Sequence, residues 1–527
     1  MNELGIMPIY YLRIPLPKRY RSKITKVILD KVETLPKTQN PYIMSLQSDR
    51  EHHREQAQTA FERSRRPQNT QLEYLTIRMI ELFQLEEFEK LRINLKKMFP
   101  GLDGDHGGET FEDYFGKLGN SLYPGWWLNV GLIYRDKPRL GRNTFRLPSL
   151  PETVDSIQVD LHKILPSLII ITLDIQLNAK ANDTLMDLHT QKYLPEARLE
   201  SFYPMDKSFG IGQMSAERSM EQAILGWLER IRKGVEDSIR PHISGYFMQQ
   251  STNFAKLPAI EVYGLKRNER RKTKFVIWAN NARDWFDSLG FQLYWNTYNN
   301  KSLAFSWSHK SNYDDSNKIP SRILLFWDDF IKDVNLEMYG GNEKHAATRK
   351  IRDFLDSMLI PFIAIEFLSE KIERIKKHRV NVFTSMVKKL VGNSNLRKQL
   401  KRHAALQEER RAVERFILEF DQNKERIDKK MSEGGLESLT YTNLTVKREP
   451  SDKNLSEAVM SEINYLRNTY KEHMSFLNTA FSEYIQMLNV DAMYGLQIVT
   501  IWLSFVALVV AVLGVLGNWD SIVGLFK

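Results

Sequence analysis

The chain has no cysteine in 527 residues. Disulfides, thiolate zinc sites, cysteine-held iron–sulfur clusters and cysteine nucleophiles are therefore excluded. Catalytic signatures are missing as well. No Gly-x-Ser-x-Gly elbow occurs, and none of the 11 histidines forms a His-x-x-x-His pair with a neighbouring Glu. Gly210-Ile-Gly212 precedes a helical pattern, but no Lys-Ser/Thr follows to make a phosphate loop. No enzyme is expected. Residues 1–8 carry no basic stretch leading into an apolar run, so no secretory signal is read there. Charge of one sign is scarce: 75 Lys+Arg against 65 Asp+Glu leave +10, a weak field over this length. No nucleic-acid partner is expected from it. A mean hydropathy of −0.42 excludes a polytopic transporter.

With 42% hydrophobic, 27% charged and 11% aromatic residues, the composition is that of a globular chain, long enough for about three or four domains. One long apolar run exists. Residues 492–519 hold no ionisable side chain except Tyr494, and 496–516 are 21 residues, about 31 Å of helix. That length matches the hydrocarbon thickness of a bilayer, and Tyr494 and Trp519 stand where interfacial rings belong. The run reads as a single transmembrane helix, with residues 1–490 on the cytoplasmic side and the bacterial inner membrane as the expected location.

The fold class expected is α+β: an N-terminal α/β cytoplasmic domain, then long helices, a stalk helix and one C-terminal transmembrane helix. Residues 1–335 mix strand and helix patterns, and a Pro-rich connector at 138–151 allows a split into two domains. Strands are read at 8–15, 126–134, 157–164, 168–177, 260–265, 275–279 and 322–327, with 168–177 central. A hairpin turning at Asn299-Asn300 joins 291–298 to 302–308. Helices are read at 49–66, 71–98 and 215–239. From 343 the pattern is helical: 343–431 as a long charged hairpin, bent at Pro361 and turning at 392–395. A polar linker follows at 432–453, a stalk helix at 454–491, the span at 492–519 and a short tail at 520–527. The stalk stripe Leu455, Val459, Ile463, Leu466, Tyr470, Met474, Leu477, Phe481, Tyr484 and Leu488 steps by threes and fours, like a coiled coil.

Three clusters carry the candidate chemistry. In the span, Gln497, Thr500, Ser504, Ala507, Ala511, Gly514 and Asn518 fall on one stripe at steps of 3 and 4, with bulky apolar residues elsewhere. Such a stripe either packs helices closely or lines a polar pore. Both readings imply a homo-oligomer, since one helix is not expected to satisfy its own polar stripe. Asp103, Asp105 and Glu109 in a Gly-rich loop are the candidate ligands of a divalent cation; the twelfth position from Asp103 is Tyr114, where a calcium loop needs a bidentate Glu. No other cofactor is expected. Finally, 371–402 holds 11 Lys/Arg against the single acid Glu373. Lys376, Lys377, Arg379, Lys388 and Lys389 are the candidates there for anionic lipid or nucleic-acid phosphate, against a solvated face answered by the acidic 408–425.

This layout, an α/β domain, two long charged helices and an unbroken stalk entering the membrane, resembles the CorA family of divalent-cation channels over roughly 343–518. The resemblance implies a funnel of stalk helices and a pentameric pore lined by the Gln497–Asn518 stripe. Gly517-Asn518-Trp519 stands where that family has Gly-Met-Asn, and one membrane helix stands where it has two. The function expected is a cytoplasmic sensor domain that gates an ion-conducting or membrane-permeabilising pore in answer to an unidentified cytoplasmic ligand. The alternatives are a tail-anchored scaffold whose span only tethers, and a membrane-depolarising defence effector.

Overall fold

The computed structural model describes residues 14–15, 70–103, 111, 115–116, 127–136, 143–191, 196–203, 208–214, 216–250, 257–267, 296–307, 320–332, 334, 336, 343–390, 396–442 and 450–517. The expected helix at 49–66, the strand at 275–279, the turn at 392–395 and the tail at 520–527 lie outside them. Two compact units emerge: Met1–Ile360 with Gln422–Ala458, and Pro361–Asp421 with Val459–Lys527.

The first unit is α+β. Its strands are β1 (Ile14–Pro15), β2 (Thr70–Gln84), β3 (Trp127–Tyr134), β4 (Thr144–Arg146), β5 (Val154–Leu165), β6 (Leu168–Leu177), β7 (Glu196–Tyr203), β8 (Ser208–Met214), β9 (Ala259–Arg267), β10 (Asn296–Asn299), β11 (Leu303–Trp307), β12 (Ser321–Phe326), β13 (Thr440–Thr442) and β14 (Pro450–Asn454). Its helices are α1 (Phe88–Met98), α2 (Ala179–Thr190), α3 (Ala216–Ile239) and α4 (Trp327–Lys332), the first part of α5 (Glu343–Leu390), and α7 (Lys424–Glu433), which follows α6 (Leu396–Gln422). Eleven strands form one mixed sheet in the order β14-β13-β10-β11-β12-β9-β2-β6-β5-β3-β4, while β1, β7 and β8 form a second. The pairs β12–β9 and β3–β4 are parallel and the remaining pairs antiparallel. As its near-continuous Leu/Ile run requires, β6 is interior, with Leu168 to Ile175 all buried.

The expected helix at 71–98 is corrected. Thr70–Gln84 is a 15-residue strand between β9 and β6, and only Phe88–Met98 is helical. A strand covered on both faces buries side chains of both parities, here Tyr74, Leu75, Ile77, Met79, Ile80, Leu82 and Phe83. That density imitates a helical stripe. The charged positions that would have marked a wet helix face point inward instead. Glu81 accepts the backbone N–H groups of Leu82 (2.9 Å), Phe247 (2.8 Å) and Met248 (2.8 Å), and burial pushes its carboxyl up to about 8. Arg78, with no exposed surface, donates to both Asp174 oxygens at 2.7 and 2.8 Å and to Asp356 of α5 at 2.5 Å. Arg352, one turn earlier on α5, lies 3.2 Å from Asp174.

The stretch 432–453 carries a short 3-10 turn, Leu436–Ser438, and the two strands β13 and β14. Together these extend the large sheet from β10, so the segment belongs to the first unit instead of linking helices. The helix expected through 431 stops at Gln422 and restarts at Lys424.

The second unit is helical, built from the rest of α5, α6 and most of α8 (Leu455–Gly517). Within α8, the stripe residues Val459, Ile463, Leu466, Tyr470, Met474, Leu477 and Phe481 are buried. They are covered inside this one chain: Phe481 stacks on His403 of α6 at 3.8 Å, Asn478 accepts from Gln407 at 2.7 Å, and Arg467 grips Asp421 through both carboxylate oxygens at 2.7 Å.

Breaking a buried ion pair by removing one partner costs about 3–5 kcal/mol, because the other charge is stranded. Arg78→Met takes both hydrogen bonds from the buried Asp174 and leaves it Arg352 alone, and chemical denaturation should show a loss approaching that size. A loss below about 1 kcal/mol, the value of a solvated surface pair, would refute the clamp.

Candidate functional site

A cavity of about 450 Å³ opens in the first unit where four elements converge. The β10–β11 turn supplies Asn300, Ser302 and Leu303, α4 supplies Phe330, and α5 supplies Lys350, Asp353, Phe354, Asp356 and Ser357. The end of α7 and the segment after it supply Lys430, Glu433, Gly434, Gly435, Ser438 and Leu439. Local chemistry sets these positions. Asn300 Oδ1 accepts from the Ser302 and Leu303 N–H groups, both at 2.9 Å, which closes the hairpin. Its Nδ2 donates to Ser438 Oγ at 3.0 Å, tying that hairpin to the wall opposite. Gly435 has φ +77°, a left-handed conformation glycine adopts without steric cost. At Gly434 a Cβ would collide with Ser357 Oγ, so the small residue is what lets α7 end against α5.

The charges in the cavity are unequal in their partners. Asp356 is held by Arg78 (2.5 Å), Glu433 lies 3.8 Å from Lys429, and Lys350 sits over the Phe330 ring at 4.8 Å. Lys430 is half-buried, and among the described residues its ammonium has no hydrogen-bond or ion-pair partner. Burial and then Arg426 hold its pKa below the usual lysine value, against the pull of Asp356 and Glu433. Burial and then Asp356 push the Asp353 carboxyl up. On the sheet face carrying Arg78, the network continues through Asp160, which accepts from Asn129 at 3.0 Å, and His162, whose Nε2 lies 3.3 Å from Thr172 Oγ1. Burial drives His162 down to about 4 and Asp160 up to about 6.

The sequence-based candidates lie elsewhere. In α8, the helix Met493–Val512 is 20 residues at a mean hydropathy of 2.3, with none of it buried, and is long and apolar enough to cross a membrane. Gln497, Thr500, Ser504, Ala507 and Ala511 are exposed on it; Gly514 lies in the helix, and Asn518 is outside the described residues. Thr500 Oγ1 donates to the Leu496 carbonyl and Ser504 Oγ to the Thr500 carbonyl, both at 2.8 Å. These two short hydroxyls thus reach the carbonyl four residues back within their own helix. Asp103 closes a 3-10 turn, while Asp105 and Glu109 lie outside the described residues. Among the described residues no group of three or more His, Asp or Glu is placed to hold a metal ion.

In the basic block, Lys371 and Arg374 both bind Glu409 of α6, at 2.9 and 2.8 Å. Lys376 reaches Glu373 at 3.3 Å, Arg379 lies over the Phe476 ring at 5.0 Å, and Lys377 is exposed. Lys388 and Lys389 fall within α5, their side chains outside the description. No family model, curated protein or solved structure matches the chain. The cavity residues had no readable signal beyond the Gly434-Gly435 pair, because Lys350, Asp353 and Ser357 repeat at the spacing of any solvated helix face.

The raised carboxyl of Asp160 has a definite pH consequence. Its folded pKa of about 6 exceeds the ordinary 3.8, so the folded state holds the proton longer and stability falls as pH rises from 3.8 through 6. Asp160→Asn keeps an oxygen for Asn129 and removes that loss. The thermal stability of this variant relative to wild type should climb between those pH values and level off above them; a flat difference would exclude the shift.

Proposed function

We propose that the chain is a C-terminally anchored, homo-oligomeric membrane protein whose cytoplasmic α+β unit binds a ligand and gates an ion-conducting pore, in the manner of the CorA family. One observation carries this reading. Leu439, in the cavity wall, accepts the N–H of Leu455, the first residue of α8, at 2.8 Å. From there α8 runs unbroken for 63 residues through the exposed apolar stretch 493–512. A ligand that favours one arrangement of the cavity wall thereby acts on the root of the helix that enters the bilayer, and it shifts the pore only by its preference for that arrangement. The stripe from Gln497 to Asn518 lines the pore in the oligomer, and a divalent cation is the candidate permeant ion. Residues 1–490 stay on the cytoplasmic side, and no catalysis or nucleic-acid binding is assigned.

The tether reading has its own support in the back-bonded hydroxyls of Thr500 and Ser504, which let a single span rest in lipid without a polar partner. Ion flux through liposomes carrying the full-length protein separates the two. A channel conducts, and Thr500→Leu with Ser504→Leu abolishes flux while the oligomer persists. A tether passes no ion in either form, whatever is added to the cytoplasmic face.

A further inference from the structure

We propose that the cavity beside α5 takes a small zwitterion, a free α-amino acid, with its carboxylate on the Lys430 ammonium and its ammonium on the Asp353 carboxylate. The assignment rests on the reading of this cavity as the sensor's ligand site and names the class of ligand. At about 450 Å³ the space suits a small molecule. Of its five charged side chains, three are engaged: Asp356 by Arg78, Glu433 by Lys429 and Lys350 by the Phe330 ring. Among the described residues, the side chains of the remaining two, Lys430 and Asp353, have no hydrogen-bond or ion-pair partner.

They also do not answer one another. No ion pair joins these two side chains. One cation and one anion therefore stand apart in the same cavity. A half-buried ammonium without a partner costs free energy that a bound carboxylate recovers. A lone anion would meet the acids Asp353, Asp356 and Glu433, and a lone cation would meet Lys350 and Lys430. A ligand carrying both signs meets neither penalty, and Leu303, Phe354 and Leu439 give its side chain an apolar wall.

Calorimetric titration of the full-length protein in detergent tests this, with each of the twenty standard amino acids, acetate, methylamine and inorganic phosphate as separate probes. At least one amino acid should bind saturably, while acetate and methylamine do not. Lys430→Met and Asp353→Asn should each weaken that binding about tenfold or more, the usual effect of losing a charge-assisted hydrogen bond, and Lys430→Arg should retain it. Both residues are at least partly exposed, and unchanged circular dichroism and unfolding temperature will confirm that the variants fold. The assignment is overturned if no amino acid binds wild type, if both variants bind as wild type does, or if phosphate alone binds through Lys430. Amino-acid binding that leaves liposome flux unaltered upholds this assignment and removes the gating role instead.

Discussion

A single guanidinium organises the first unit. Arg78 lies in an interior strand, without solvent, and holds Asp174 on the neighbouring strand and Asp356 on α5 together. Burial, the largest single influence, would raise Asp174, but the Arg78 charge, the Arg78 hydrogen bonds and the Arg352 charge together outweigh it and keep the carboxyl below its ordinary value. Such a cluster is costly to desolvate and tolerates little misplacement. A one-residue slip of β2 would turn Arg78 to the opposite face and take its hydrogen bonds from both acids. The register of the sheet and the seat of α5 are thus set by one interaction. The cavity inherits that geometry, since Asp356 belongs both to the clamp and to the cavity wall.

The helical unit shows the complementary economy. The regular stripe of α8 suggests helices of several chains zipped together, yet Phe481, Asn478 and Arg467 already meet α6 of the same chain. Two cations of the basic block are used likewise, with Lys371 and Arg374 sharing Glu409. Apolar surface and charge that sequence offers to a partner are used at home. The stretch 493–512, by contrast, is exposed throughout, and almost every side chain on it is apolar.

Legibility in the sequence followed the number of faces each element buries. Strands such as Leu168–Leu177, the β10–β11 hairpin at Asn299-Asn300 and the helix over Ala216–Ile239 were readable because composition and turn chemistry agreed there. β2 was not, because a doubly covered strand with inward Arg78 and Glu81 copies the alternation of an amphipathic helix. β13 and β14 were hidden for a different reason. Short polar edge strands such as Thr440–Thr442 have no pattern of their own and exist through pairing with β10 and each other.

The sequence by itself determined the absence of thiol chemistry, the single apolar helix near the C-terminus and the α+β class, since all three depend on composition and local periodicity. Tertiary structure alone decided which charges turn inward, and so which side chains form a site. Lys430 and Asp353 are 77 positions apart in the chain, and nothing local distinguishes them from other surface charges. They share a cavity only because the edge strands after α7 return to the sheet that Arg78 clamps to α5. Burial and pairing are long-range properties, set by what packs above a residue, and the free ammonium of Lys430 is their product.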